Sequence, residues 1–306
     1  MRLKRMRLKH KISVILFFIV ICFFTALFFS IKFNNKVPPT NRSYLDEQYA
    51  VIDGKVVDLK NYYEVPRIDN AVHVDASRFV FCEDGQIIDL YEVSDSDITE
   101  TLITELNSTV GIREIKAQLL TFDIFTNDGQ IYIITYPDAF KRFEPESGLK
   151  RDTCKLGDPI VWLTINTDLT VNCEFFDGNT WIEYTEYSNT ALWKNIIDAC
   201  VGKNFVIGLT SDGKVLSDGI DFSVDNAIRI DVLNHNGDSI PLALTEEGRI
   251  VAPENINSPI VSEAMQFTDI VDFIATNNGI ILAKKSDGSL IATTNDIYNP
   301  EYVSQP

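Results

Sequence analysis

No aspartate or glutamate occurs before Asp46, and histidine is nearly absent: the 306 residues hold only His10, His73 and His235. A serine–histidine–aspartate triad or a histidine-bound metal would have to use His73 or His235, because His10 lies in a basic leader. Neither has a recognisable partner motif, and His73, on a predicted strand, is expected to be a packed residue. No G-x-S-x-G, H-E-x-x-H or P-loop is present. Catalytic residues, metal ligands and cofactors are therefore all expected to be none. Cysteine is sparse too. Beyond Cys22 there are Cys82, Cys154, Cys173 and Cys200. Their spacings do not match metal-ligand patterns, but an even number permits disulfides outside the cytoplasm. Cys82 and Cys200 sit in strand patterns and read as small buried residues. The pair to test first as a bridge is Cys154–Cys173.

The missing acids set up a charge asymmetry. Arg2, Lys4, Arg5, Arg7, Lys9 and Lys11 make up a basic leader over residues 1–11. Six of the 27 basic residues lie there and all 44 acids lie beyond it, so the remainder carries 21 − 44 = −23. Binding to nucleic acid depends on lysine and arginine displacing counterions from phosphates. A remainder this acidic excludes nucleic acid as a partner.

Between leader and acidic region, Ile12 to Ile31 contains no charge. Twenty helical residues rise roughly 30 Å, the thickness of a bilayer's hydrocarbon core. This predicts a transmembrane helix over 12–31, with the lipid bilayer as its partner. The six basic residues before it place the N-terminus in the cytoplasm. A cleaved signal peptide would have a shorter apolar core and small residues before the cut, and neither is seen. Residues 32–45, including Pro38-Pro39, read as a stalk. Residues 46–306 are then expected to stand outside the cytoplasm, on the far side of a cell membrane crossed once.

Past the stalk one pattern recurs: an apolar run, an acid-glycine turn and a second apolar run. The turns fall at Asp53-Gly54, Asp84-Gly85, Asp128-Gly129, Asp168-Leu169, Asp212-Gly213, Glu247-Gly248 and Asp287-Gly288. Flanks of valine, isoleucine and phenylalanine make each unit a β-hairpin, and Asp-Gly suits a two-residue type I′ turn. Asp168-Leu169 lacks the glycine, so its turn is expected to differ or be longer. A further short strand precedes most hairpins, as in Ala71–Ala76, Asn195–Ala199, Ala227–Val232 and Asp269–Phe273. Small sheets recurring at a period near forty residues must stack to bury their faces. The expected fold class is all-β, a β-propeller of six or seven blades. Seven turns favour seven. Six blades plus a closing strand stays open, because no inner strand precedes the first turn.

The segment Trp193 to Leu216 (WKNIIDACVGKNFVIGLTSDGKVL) carries the clearest unit. It resembles the repeat of the regulator of chromosome condensation propeller family, in its short bacterial form. Phe267 to Leu290 follows, keeping Ile270-Val271 and Ser286-Asp287-Gly288. The likeness is strongest over residues 193–295 and weaker over 49–190. It departs at Thr276, where the family has glycine, and in lacking the Trp-Gly that often closes a repeat. The resemblance implies a propeller used as a binding platform. It does not carry over nucleotide exchange or chromatin binding.

Two segments stand outside the repeat. Ala139 to Leu156 reads as a long connection carrying Lys141, Arg142, Lys150, Arg151 and Lys155, either a solvated loop or a contact for an acidic glycan, headgroup or protein. Phe175 to Trp193 gathers Trp181, Tyr184 and Tyr187 among carboxylates, suited to sugar or peptide binding or to packing around a hairpin at Asp177-Gly178. Asp95-Ser96-Asp97 lacks the spacing of a calcium loop and, with Ser94, is expected to cap a short helix through Leu106. The expected function is a membrane-tethered noncatalytic binding or scaffold module, meeting an extracellular or cell-wall protein or glycan. The alternative is an anchored glycan hydrolase using paired carboxylates at a central channel.

Overall fold

Turns are where the recurring sequence becomes recurring structure. In the computed structural model, residues 48–60, 63–65, 68–76, 78–90, 106–107, 111–117, 121–135, 146–153, 161–176, 181–183, 185–276, 278–293 and 303–304 are described. At Gly85, Gly129, Gly213, Gly248 and Gly288 the glycine alone has positive φ, and its N–H donates to the carbonyl three residues back. These are type I turns closed by a left-handed residue, not the expected type I′ pairs. The reason lies in the side chains before the glycine. Thr210 Oγ1 accepts from Lys214 N at 2.9 Å and donates to Asp212 Oδ1 at 2.5 Å. Asp287 Oδ1 accepts from Ser289 N at 2.9 Å. Such bonds hold the residue before glycine in its ordinary negative-φ region. Asp53-Gly54 does have positive φ at both positions and is the type I′ case. Asp168-Leu169 does not differ as expected. Leu169 takes the left-handed position itself, with φ +63, and keeps the turn bond to Asn166 O.

The described residues contain seven small sheets. In chain order they are Tyr49–Ile52, Lys55–Asp58 and Tyr63–Glu64; Ala71–Asp75, Phe79–Cys82 and Ile87–Asp89; Ile112–Ala117, Thr121–Thr126, Gln130–Thr135 and Glu146–Ser147; Lys150–Thr153, Val161–Ile165, Val171–Phe176 and Trp181–Glu183; Ile196–Gly202, Phe205–Thr210 and Val215–Asp218; Ala227–His235, Asp238–Thr245 and Ile250–Val251; and Ile270–Ala275, Ile281–Lys285, Leu290–Ala292 and Val303–Ser304. Neighbouring strands pair antiparallel except Val303–Ser304, which lies parallel to Leu290–Ala292. These are the sheets numbered one to seven below.

At five joints, neighbouring sheets bury apolar faces against each other. Tyr49, Val51 and Val56 of sheet one pack with Val74, Val80 and Cys82 of sheet two. Phe79 and Phe81 continue to Ile115 and Ile124 of sheet three. Sheets five and six share Ile207, Leu209 and Ile230, and sheets six and seven share Leu242, Leu244 and Phe273. Leu282 and Ala292 of sheet seven return to Ala50 and Val57 of sheet one. Each valine, leucine, isoleucine or phenylalanine among them contributes about 1.5–3 kcal/mol on burial, which no three-stranded sheet gains alone. A recurring backbone stitch runs across the joints. Ala71 N donates to Gly54 O, Gly148 N to Gly129 O, Ile196 N to Leu169 O, Ala227 N to Gly213 O and Ile270 N to Gly248 O. Sheets that follow one another and return to the first are consistent with a β-propeller.

That stitch also aligns the sheets. Asp53-Gly54 takes the place of the turns that join second and third strands elsewhere. Among the described residues, sheet one thus has no counterpart of the first strand seen in the others, and Lys284 Nζ of sheet seven reaches Val51 O at 3.4 Å. Three sequence expectations need revision or placement. Ala139–Leu156 is not only a connection, because Glu146–Ser147 and Lys150–Thr153 are strands. Lys-Arg-Asp-Thr lacks the apolar signature of a strand, yet its backbone pairs with Val161–Ile165. A six-residue helix, Pro259–Ala264, capped by Ser258, buries Val261 and Ala264 between sheets six and seven. Of the helix expected through Leu106, only Leu106 and Asn107 are described, and both are helical. Among the described residues no helix is long and apolar enough to cross a membrane. The segment 12–31, with the leader and most of the stalk, lies outside them.

Candidate functional site

The first strands of sheets two to seven share a charged design. Those of sheets two, three, five, six and seven carry a bulge at their second residue, at Val72, Arg113, Ile197, Ile228 and Val271. The next residue is polar each time: His73, Glu114, Asp198, Arg229 and Asp272. A first strand leaves backbone N–H groups unpaired on its far edge, and unpaired edges are costly when buried.

Aspartates from the preceding sheet satisfy several of them. Asp75 Oδ2 of sheet two accepts from Ile115 N of sheet three at 2.8 Å. Asp152 Oδ2 of sheet four accepts from Val201 N of sheet five at 2.8 Å. Asp231 Oδ2 of sheet six accepts from Ala275 N of sheet seven at 2.8 Å, while its Oδ1 accepts from Val232 N. The latch thus recurs at alternate joints, two–three, four–five and six–seven. Cations add to it. Lys116 of sheet three pairs with Asp152, and Arg229 Nη1 lies 3.1 Å from Asp272 Oδ1.

The electrostatics follow from burial. Burial pushes the Asp231 carboxyl up, against the bonds from Ala275 and Val232 and the attraction of Arg229. Burial pulls the Arg229 guanidinium down, but Asp272, Asp231 and Asp198 outweigh it and hold it above its usual value. His73 is buried, stacks on Phe81 with ring centroids 4.2 Å apart, and places Nε2 3.6 Å from Asp75 Oδ2. These carboxylates hold backbone N–H groups and cations between sheets. They are a structural belt.

The sequence-predicted surface residues fall elsewhere. Lys141, Arg142 and Tyr184 lie outside the described residues. Lys150 and Arg151 are in the first strand of sheet four, opposite Ile165 and Thr164. Trp181 begins the outer strand of that sheet, opposite Phe176, so the hairpin expected around Asp177-Gly178 is formed. Tyr187 lies at a kink in the 3-10 helix Thr185–Leu192 and is buried, with Cε1 3.1 Å from where a Cβ on Gly219 would sit. Its ring packs in the fold instead of offering a face to a ligand. Cys173 is a buried free thiol, pushed up to about 12 by burial and then by Asp218 and Glu174, and Cys154 lies outside the described residues. Cys82 and Cys200 are buried free thiols, as small packed residues in strands should be.

The belt itself was not singled out from the sequence. Its signal is present in Ala-Val-His-Val-Asp, Ile-Ile-Asp and Ala-Ile-Arg-Ile-Asp, where a polar residue follows two apolar ones at the start of the strand. The bulge explains that break in alternation.

No family model matches the chain, and no curated protein matches it. Among solved structures it is similar to Prp20p of Saccharomyces cerevisiae, the yeast RCC1, at 12% identity over 70% of this chain and 68% of that one, with a TM-score of 0.41. It is similar to the N-terminal domain of Nup159 at 12% identity, covering 84% and 90%, with a TM-score of 0.48. The BP39L lectin of Burkholderia pseudomallei matches at 9% identity, covering 80% and 90%, with a TM-score of 0.43. The fold assignment rests on the seven sheets and their stitches, not on these likenesses.

Proposed function

We propose that this protein is a noncatalytic binding or scaffold module, a seven-sheet propeller tethered by residues 12–31 and presented outside the cytoplasm to a protein or glycan. The observation that carries the reading is the engagement of the belt. Asp75, Asp152 and Asp231 each hold a backbone N–H of the next sheet, and Asp272 holds Arg229. A glycosidase needs one carboxyl free to donate a proton and another free to attack or activate water. Carboxylates committed to joints favour a rigid ring whose connections do the recognising. Tethering is supported by the charge-free stretch and the six basic residues before it.

Two measurements test the two halves of the proposal. In cells, the full chain should stay with membranes through alkaline extraction, and external protease should remove its C-terminal region. Release into the soluble fraction, or protection of that region, would sink the tether. Crosslinking on intact cells should recover a partner or glycan whose capture is lost when connections are altered but survives Asp198→Asn. Turnover of a glycan that disappears in belt variants still folded as wild type would favour hydrolysis instead.

A further inference from the structure

Two Asn-Gly pairs, Asn236-Gly237 and Asn278-Gly279, meet around one histidine. The first closes the hairpin between Ala227–His235 and Asp238–Thr245, the longest strands of sheet six, with His235 paired to Asp238. The second lies in the connection after Ile270–Ala275. His235 stands between them: Nε2 is 2.8 Å from Asn236 Nδ2, and Nδ1 would lie 2.3 Å from a Cβ on Gly279.

The same dipeptide is in two different states. Asn236 and Gly237 are both exposed, with φ +53 and +82, in a type I′ turn whose ladder runs through His235 and Asp238. A Cβ on Gly237 would meet nothing within 4 Å. Gly279 is buried against the imidazole, and its N–H donates to Thr276 O at 3.0 Å.

We propose that Asn236-Gly237 is a site of spontaneous deamidation, and that Asn278-Gly279 is shielded from the same reaction by its fold. Asparagine is thermolabile for this reason. The Gly237 nitrogen attacks Asn236 Cγ and forms an N–Cγ bond. The Cγ–Nδ2 bond breaks, and ammonia leaves with the proton from the Gly237 nitrogen. Solvent water then opens the cyclic imide at either carbonyl, giving aspartate or isoaspartate, with no change of oxidation state. The attack requires an accessible nitrogen and space for the turn to distort. Gly237 is exposed with open space around it, and Lys203 grips it through its carbonyl, whereas Gly279 is tied to Thr276 through its N–H and wedged against His235.

The product changes this corner of the ring. Isoaspartate adds a methylene to the main chain at the turn. Lys203 Nζ holds Gly237 O at 2.8 Å, and Lys203 N donates to Ser239 Oγ at 3.0 Å, so the tip is gripped by sheet five. Lengthening the turn displaces that carbonyl and loosens the grip.

The test is to age the full-length chain at neutral pH and physiological temperature, folded and in denaturant, and to map both peptides by mass spectrometry with isoaspartyl labelling. The folded chain should show several-fold more product at Asn236 than at Asn278. In denaturant the two should converge. Asn236→Gly, which keeps a turn tolerant of positive φ, should abolish the first signal and leave the second. Equal product at both sites in the folded chain would overturn the proposal, as would a folded chain that stays unmodified at Asn236 while the denatured chain reacts there.

Discussion

The joint between sheets six and seven and the joint between sheets seven and one hold the ring in different ways. At the first, Asp231 latches Ala275 N and Arg229 pairs with Asp272, beside an apolar cluster around Leu242, Leu244 and Phe273. At the second, Ala50, Val57, Leu282 and Ala292 pack together, and the polar link is Lys284 to the Val51 carbonyl. The difference follows from chain position. A sheet with a bulged first strand has edge N–H groups that its neighbour's aspartate can satisfy. Sheet one shows no such strand among the described residues, so its joint relies on apolar burial. Charge supplies geometry at one joint, and area supplies adhesion at the other.

The sharpest way to break the contrast is Asp272→Ala. It removes the carboxylate that most favours the buried Arg229 guanidinium, and breaking a buried pair costs about 3–5 kcal/mol. The denaturation midpoint should fall accordingly, and Asp272→Ala combined with Arg229→Met should recover part of the loss. Leu282→Ala attacks the other joint through a side chain with no exposed surface. It should cost about 2–4 kcal/mol, through lost transfer energy and a residual cavity. Its effect should be insensitive to salt and pH, which separates it from the charged joint. A salt-dependent Leu282→Ala would erase the distinction.

Asp231 gives a pH test of the same contrast. Asp231→Ala removes the acceptor of two N–H groups and should cost about 1–3 kcal/mol. Asp231→Asn keeps an acceptor and should cost less. The folded carboxyl is raised above its unfolded value, so its contribution is fully present below the unfolded value, near 3.9. It is lost as pH rises through the folded value. The stability of wild type relative to Asp231→Asn should therefore decline as pH rises from the unfolded value to the folded one and stay flat above the folded one. A difference that grows with pH would mean that burial does not dominate at Asp231.

How much of this was legible depends on whether a feature is written in apolar pattern or in backbone geometry. The seven turns and the first strands of sheets two, five, six and seven were readable because Val, Ile and Phe flank them. The first strand of sheet four was not, because Lys150-Arg151-Asp152-Thr153 is held by pairing to Val161–Ile165 and by Asp152 at the joint. The aspartate latches were invisible because a bond to another sheet's N–H leaves no periodicity in its own strand. Tyr187 stayed ambiguous between binding and packing because an aromatic beside carboxylates reads alike whether it faces solvent or packs near Gly219.

Leu169 offers the smallest test, and it concerns what the repeat tolerates. Five turns place glycine at the left-handed position, and this one places a partly buried leucine there at φ +63. A left-handed residue with a Cβ costs about 1–2 kcal/mol, while glycine costs roughly 0.5–1 kcal/mol in unfolded-chain entropy. The stitch from Ile196 N to Leu169 O uses only the backbone and survives the change. Leu169→Gly should therefore stabilise the chain by about 0.5 kcal/mol, read as a small rise in the denaturation midpoint. Leu169→Ala, which keeps the strain and loses the side chain, should lower it. If glycine lowers it as well, the leucine side chain contributes more at the joint between sheets four and five than the strained backbone costs, and that joint belongs with the apolar one at the ring's closure.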